Sequence, residues 1–132
     1  MNNEFICPKC GGGLTANGFV VFSAKNAKSE KGLILLSPHL GDYTKILNKS
    51  FRVEDGSKVK FYCPLCHADL TATEIHENLV HLILLDEGNN RHNVYFSGIV
   101  GEYCTYKISD DKYEKFGDAS ENYEMYFKSR RI

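Results

Sequence analysis

Short apolar runs separated by polar loops and turns recur along the chain, the pattern of strands rather than of long helices. Residues 19–24 are a short run rich in β-branched and aromatic side chains and residues 33–37 a short apolar run, and both are expected to be strands. Pro38 stops the second. Residues 39–49 show no period and are expected to be irregular. Residues 51–54 and 58–62 flank Asp55-Gly56, a two-residue turn signal, so they are expected to form a hairpin. In Lys58-Val59-Lys60-Phe61 polar and apolar side chains alternate, which predicts a half-exposed strand. Residues 72–78 read as a short connector with room for one helical turn. Residues 79–86 are apolar on both faces, which predicts a central strand. Glu87-Gly88-Asn89-Asn90 turns the chain, residues 93–96 return, and residues 103–108 form a further strand.

Two stretches share one pattern. Ile34-Leu35-Leu36-Ser37-Pro38-His39-Leu40-Gly41-Asp42-Tyr43 aligns without gaps on Val94-Tyr95-Phe96-Ser97-Gly98-Ile99-Val100-Gly101-Glu102-Tyr103. Three apolar residues, Ser, three variable positions, Gly, an acid and Tyr recur in that order, which predicts an internal repeat. A pattern present twice is more readily architectural than catalytic. Ser37 and Ser97 are therefore expected to begin turns, and Gly41 and Gly101 to take a backbone conformation that other residues resist. Tyr43 and Tyr103 are expected to pack across the core, each hydroxyl reaching a backbone partner. The expected fold is mainly β. Two repeated hairpin units, about residues 5–46 and 61–108, are related by a pseudo-twofold axis within a domain over residues 1–108.

From residue 109 the composition shifts to charged and aromatic side chains without a long apolar run. Asp118-Ala119-Ser120-Glu121 has the form of a capping box and predicts a short helix to about Lys128, with an edge strand over residues 123–127 as the alternative. Residues 109–132 are thus expected to be a C-terminal segment that packs back on the sheet or docks on a partner.

At 132 residues the chain has the length of one domain. Its 16 basic and 17 acidic side chains nearly balance, which removes the strongest electrostatic argument for nucleic acid, since phosphate binding needs a basic face. The closing Lys128-Ser129-Arg130-Arg131 is too short to supply one. The first residues have neither a basic nor an apolar signal region, and the longest apolar run, residues 82–85, is far too short to cross a bilayer. A cytoplasmic protein is expected, and there thiols stay reduced.

That compartment matters because of the cysteines. Four of the five come as Cys7-Pro8-Lys9-Cys10 and Cys63-Pro64-Leu65-Cys66. Each pair follows an apolar strand end, Phe5-Ile6 or Phe61-Tyr62, and each leads into a Leu-Thr. Two cysteines three apart ligate one ion from a tight turn, with backbone N–H groups aimed at the sulfurs. Proline after the first cysteine pre-sets φ, and glycine after the second tolerates a positive φ. Gly11 fits that slot; His67 occupies it in the second pair. Four thiolates make a closed tetrahedral shell that suits zinc. Cys7, Cys10, Cys63 and Cys66 are therefore the expected ligands of one zinc ion per chain, with iron second. Redox motifs and disulfides are the alternatives. A thioredoxin-type motif belongs where a strand enters a helix, and no such pattern surrounds either pair. Cys104, within Glu102-Tyr103-Cys104-Thr105-Tyr106, is expected to be a small buried hydrophobe.

Over residues 5–15 and 61–71 the two pairs resemble the knuckles of the zinc-ribbon superfamily, and of rubredoxin, which holds iron the same way. The 52 residues between Cys10 and Cys63 exceed the roughly 15–20 common between ribbon pairs, so the interval is expected to hold structure of its own.

Other constellations lead nowhere. His76 and His81 lie five apart, whereas a metalloprotease helix needs four, and His81 is expected to be a hydrogen-bonded buried histidine. Gly11-Gly12-Gly13 lacks the Lys-Ser/Thr ending of a phosphate loop. Asp42 and Glu102 fall on the repeated pattern. The resulting expectation is a non-enzymatic, zinc-stabilised β module that binds another protein as an accessory subunit. A rubredoxin-like iron electron carrier and a nucleic-acid-binding ribbon are the alternatives. The sequence specifies neither the partner nor the oligomeric state.

Overall fold

The structure, a computed structural model, describes residues 4–109 and 112–128. Among these, ten strands and one short helix form two antiparallel five-stranded sheets. The first sheet runs β2 (Thr15–Ala16), β3 (Phe19–Lys25), β4 (Lys31–Leu36) and β5 (Lys45–Leu47), and β6 (Lys60–Tyr62) pairs with the free side of β3. The second runs β1 (Glu4–Ile6), β7 (Leu79–Leu85), β8 (Arg91–Ser97), β9 (Thr105–Ser109) and β10 (Lys112–Phe116). No described helix is long and apolar enough to cross a membrane.

Strand alternation builds the core. On β3 the side chains of Val20, Phe22 and Ala24 are buried, and on β7 those of Val80, Leu82 and Leu84. These inner faces join Phe5, Ile34, Phe61 and Val94 in one cluster. The rings of Phe22 and Phe61 meet edge to face at 5.1 Å, and Phe96 of the second sheet meets Phe61 at 5.1 Å. The strand expected over residues 79–86 is interior, with β1 on one side and β8 on the other.

The knuckle strands exchange halves. β1 begins the chain yet pairs with β7, placing Phe5 opposite Leu84. β6 begins the later half yet pairs with β3, placing Phe61 opposite Ala24. The registers of the two sheets also correspond. Val21 lies opposite Leu35 and Leu35 opposite Ile46; sixty positions on, His81 lies opposite Tyr95 and Tyr95 opposite Tyr106. The connector after Leu70 is longer than the one after Leu14 and folds as a single turn, with His76 N–H donating to the Ala72 carbonyl at 2.9 Å.

The two outer faces differ. On the second sheet Tyr95 and Tyr106 are covered by Phe127, whose ring centroid lies 5.2 and 4.6 Å from theirs. Tyr123, Phe127 and Cys104 complete a second buried cluster. Phe127 belongs to α1 (Glu124–Lys128). On the first sheet the row Val21, Leu35, Ile46 has no such cover among the described residues, and Ile46 and its neighbour Leu33 are 45% and 47% exposed.

Several expectations need correction. The hairpin expected between residues 51–54 and 58–62 does not form. The Asp55-Gly56 turn exists, with Gly56 at φ +83°, but its arms part. Phe51 buries itself against Gly32, where no Cβ would fit. Gly56 and Val59 N–H instead donate to the Val100 and Gly98 carbonyls, both at 2.8 Å. β5 lies inside the stretch expected to be irregular, and β10 inside the tail; both are exposed edge strands set by their neighbours rather than by an apolar run. The helix starts at Glu124 instead of at the expected capping box. Tyr106 Oη donates to the Ser120 carbonyl at 2.7 Å and accepts from Tyr123 N–H at 3.3 Å. One tyrosine thus takes backbone groups that a longer helix would pair itself. Residues 129–132, the end of the basic tail, lie outside the described residues.

Candidate metal centre

Each knuckle is a short turn closed by three matching backbone bonds. Cys7 N–H donates to Gly12 O at 2.9 Å, Gly11 N–H to Cys7 O at 2.9 Å, and Leu14 N–H to Phe5 O at 2.8 Å. Their counterparts are Cys63 to Ala68 at 3.0 Å, His67 to Cys63 at 2.9 Å, and Leu70 to Phe61 at 2.9 Å. The turns need a left-handed residue after the second cysteine. Gly11 supplies it at φ +76°, and His67 adopts it too, at φ +67°. The second turn is therefore of the same type, formed against the steric preference of an L residue.

The strand exchange brings the two turns together. The Sγ atoms of Cys7, Cys10, Cys63 and Cys66 all lie within 4.8 Å of one another. Two contacts join one knuckle to the other, Cys7 to Cys66 at 3.9 Å and Cys10 to Cys63 at 3.8 Å. A metal–sulfur bond of about 2.3 Å in tetrahedral geometry puts sulfurs about 3.8 Å apart, so the donors fit a tetrahedral metal–thiolate centre. All four expected ligands are in the cluster; His67 and Cys104 are not. Cys7 and Cys63 are buried, while Cys10 and Cys66 face outward.

Backbone dipoles prepare the site for negative charge. Cys7 Sγ accepts from Lys9 and Cys10 N–H at 3.2 and 3.4 Å, and Cys63 Sγ from Leu65 and Cys66 N–H at 3.3 and 3.4 Å. Burial raises the Cys63 thiol, but those N–H groups and the neighbouring thiols outweigh it and bring it down to about 7. At Cys66 the Ala68 N–H pulls downward, while burial and the bonds to Cys63, Cys10 and Cys7 push the thiol up to about 11. The first thiolate is thus favoured, and each further one is resisted until a cation offsets the charge. With four protein donors the shell has no vacant position for a substrate or water.

Leu65 is the residue that spacing did not single out. It is 59% exposed, yet its Cδ1 stands over the opposite knuckle, where a Cβ at Gly12 would lie 2.5 Å away. An apolar residue between two cysteines on an otherwise exposed turn was its signal.

The other singled-out residues lie away from the sulfurs. Ser37 Oγ accepts from His39 N–H at 3.2 Å and Ser97 Oγ from Ile99 N–H at 3.0 Å, so both serines begin turns. Gly41 and Gly101 take φ of +92° and +89°. Tyr43 and Tyr103 do not cross the core. They stack on each other, centroids 4.7 Å apart, with Tyr103 38% exposed. Tyr43 Oη donates to the Phe116 carbonyl at 3.3 Å. Glu102 accepts from Ser97, Tyr123 and Asn122 at 2.6, 2.6 and 2.8 Å. Burial raises Glu102, but these donors hold its carboxyl below the ordinary range. His81 is half-buried rather than buried; its Nε2 bonds Asn93 Oδ1 at 2.8 Å and its ring stacks on Tyr95. Cys104 is fully buried, and burial pushes its thiol up to about 12. Comparison with protein-family models, with curated proteins and with solved structures finds no match to this chain.

Proposed function

We propose that this chain is a non-catalytic zinc module, built from two copies of one β unit, that binds another protein as an accessory subunit of a cytoplasmic assembly. The duplication is supported by the matched knuckles, the matched strand registers and the paired serine turns. Zinc suits a closed thiolate shell that clamps two halves together, and iron, which would fit the same four sulfurs, is the second reading.

The observation that carries protein binding is the difference between the outer faces. The same row of positions is covered by Phe127 in the later half and open as Val21, Leu35 and Ile46 in the first. The occupant of the open face is a short helix with aromatic anchors from a partner, seated as α1 seats on the second sheet. Apolar rows of this kind on an otherwise polar surface mark contact sites. The test is affinity purification of the full chain and of Ile46→Glu from the native cell, with metal analysis of both. The reading predicts one stoichiometric partner, lost in Ile46→Glu, with zinc unchanged. A partner equally retained by the variant, or a wild-type chain with none, contradicts it. Red protein that bleaches on reduction would replace zinc by iron.

A further inference from the structure

Between the two sheets lies a cavity of about 120 Å³ that opens beside the two serine turns. Its inner wall is apolar: Phe22, Phe61, Leu82 and Val94 form the closed end, with Leu36 and Phe96 nearer the mouth. A cavity of about 150 Å³ with similar lining stays dry and admits benzene. The space here therefore suits a hydrocarbon group of about six carbons.

The mouth is polar and unevenly charged. Asp42 and Glu102 stand on its rim, but both are already engaged. Asp42 Oδ1 accepts from Thr44 N–H and Oγ at 3.1 and 2.7 Å, and Glu102 has its three donors. The basic groups at the rim are His39 and Lys45, both exposed. Among the described residues neither side chain makes a hydrogen bond or an ion pair. Lys45 is thus an unengaged positive charge at the lip of an apolar hole.

We infer that this cavity binds a small monocarboxylic acid, its tail of about six carbons between the sheets and its carboxylate at Lys45. The repeated Ser-x-x-x-Gly-acid-Tyr segments then have a joint purpose. Residues 37–43 and 97–103 are the two sides of one mouth, closed at one end by the Tyr43–Tyr103 stack. Neither half makes the site alone, so the knuckle clasp that holds the halves together also holds the cavity. This site is independent of the open outer face, which lies on the opposite side of the first sheet.

The test is a methyl-detected NMR titration of the zinc-loaded full chain with octanoate, and with octanol and octylamine as neutral and cationic probes of the same tail. The inference predicts saturable shifts of the Leu36, Leu82 and Val94 methyls with octanoate. Octanol should bind about tenfold more weakly and octylamine more weakly still. Lys45→Ala, an exposed position that leaves the fold intact, should weaken octanoate about tenfold and leave octanol unchanged. Val94→Phe should fill the closed end and abolish binding of all three, with one zinc per chain retained as the check on folding. Absence of saturable shifts with octanoate overturns the site. Equal affinity for octanoate and octylamine, or an unaltered Lys45→Ala, overturns the carboxylate.

Discussion

The two halves of this protein share a backbone plan and differ in what lies over it. Each has a knuckle, a Leu-Thr, a long hairpin and a serine turn ending in Gly, an acid and Tyr. In the later half the outer face is sealed by α1, the acid is held by three donors, and a histidine stands in the left-handed knuckle position. In the first half the face is open, the acid is exposed and bonded within its own turn by Thr44, and glycine stands in that position. The comparison teaches that registers and serine turns match between the halves. Stability and recognition come from what each half adds.

The largest effect should fall on what the halves hold in common. Zinc binding to finger peptides is worth about 10–16 kcal/mol, against a domain stability of about 5–15 kcal/mol. Cys63→Ser should therefore lose metal and β signal together, measured by metal analysis and circular dichroism. Cys104→Ser should keep its metal. Equal metal loss in both would contradict the ligand set.

Next comes the cover. Phe127 is 2% exposed, packed between Tyr95 and Tyr106, so Phe127→Ala should cost about 3–5 kcal/mol in chemical denaturation. Ile46→Thr, at the corresponding row of the uncovered half, should change stability by less than about 0.5 kcal/mol. Similar costs at both sites would mean that the faces are not as different as their covers suggest.

How far this could be read from the chain follows the same division. The knuckles were legible because their chemistry is local: two cysteines, a proline and a left-handed position within five residues. Strands β3, β4, β7, β8 and β9 were legible because each contains a short apolar or aromatic run bounded by turn residues, a signal that does not depend on neighbours. The hairpin about Asp55-Gly56 misled because the turn is real, while Phe51 gains more from burial against Gly32 than from pairing. β5 and β10 carried no apolar signal because edge strands are held by backbone bonds to a neighbour. The cavity was invisible because its lining runs from Phe5 to Thr105 and exists only after the halves meet.

A smaller effect concerns the acids. Glu102 is half-buried and held by Ser97, Tyr123 and Asn122, whereas Asp42 is exposed and bonded within its own turn by Thr44. Glu102→Gln should cost about 1–2 kcal/mol near pH 7, and Asp42→Asn close to nothing. Because the folded Glu102 carboxyl titrates below its ordinary value, its contribution is present above the ordinary glutamate range and is lost as pH falls through the folded value. The gap between wild type and Glu102→Gln should therefore narrow on acidification, as read from denaturation midpoints. A gap that widens would reverse the sign.

The smallest effect is at the knuckles. A left-handed L residue costs roughly 1–2 kcal/mol, less what glycine loses by its freedom when unfolded. His67→Gly should thus raise stability by about 0.5–1 kcal/mol, and Gly11→Ala should lower it by about the same, in paired thermal melts of zinc-loaded protein.

The claim under all of this is that one ion is clasped by thiols from both halves. X-ray absorption on the purified chain, with metal quantified in the same sample, tests it most directly. The account predicts one metal per chain in a shell of four sulfurs at about 2.3 Å. Two metals per chain, or a shell completed by nitrogen or oxygen, would contradict it.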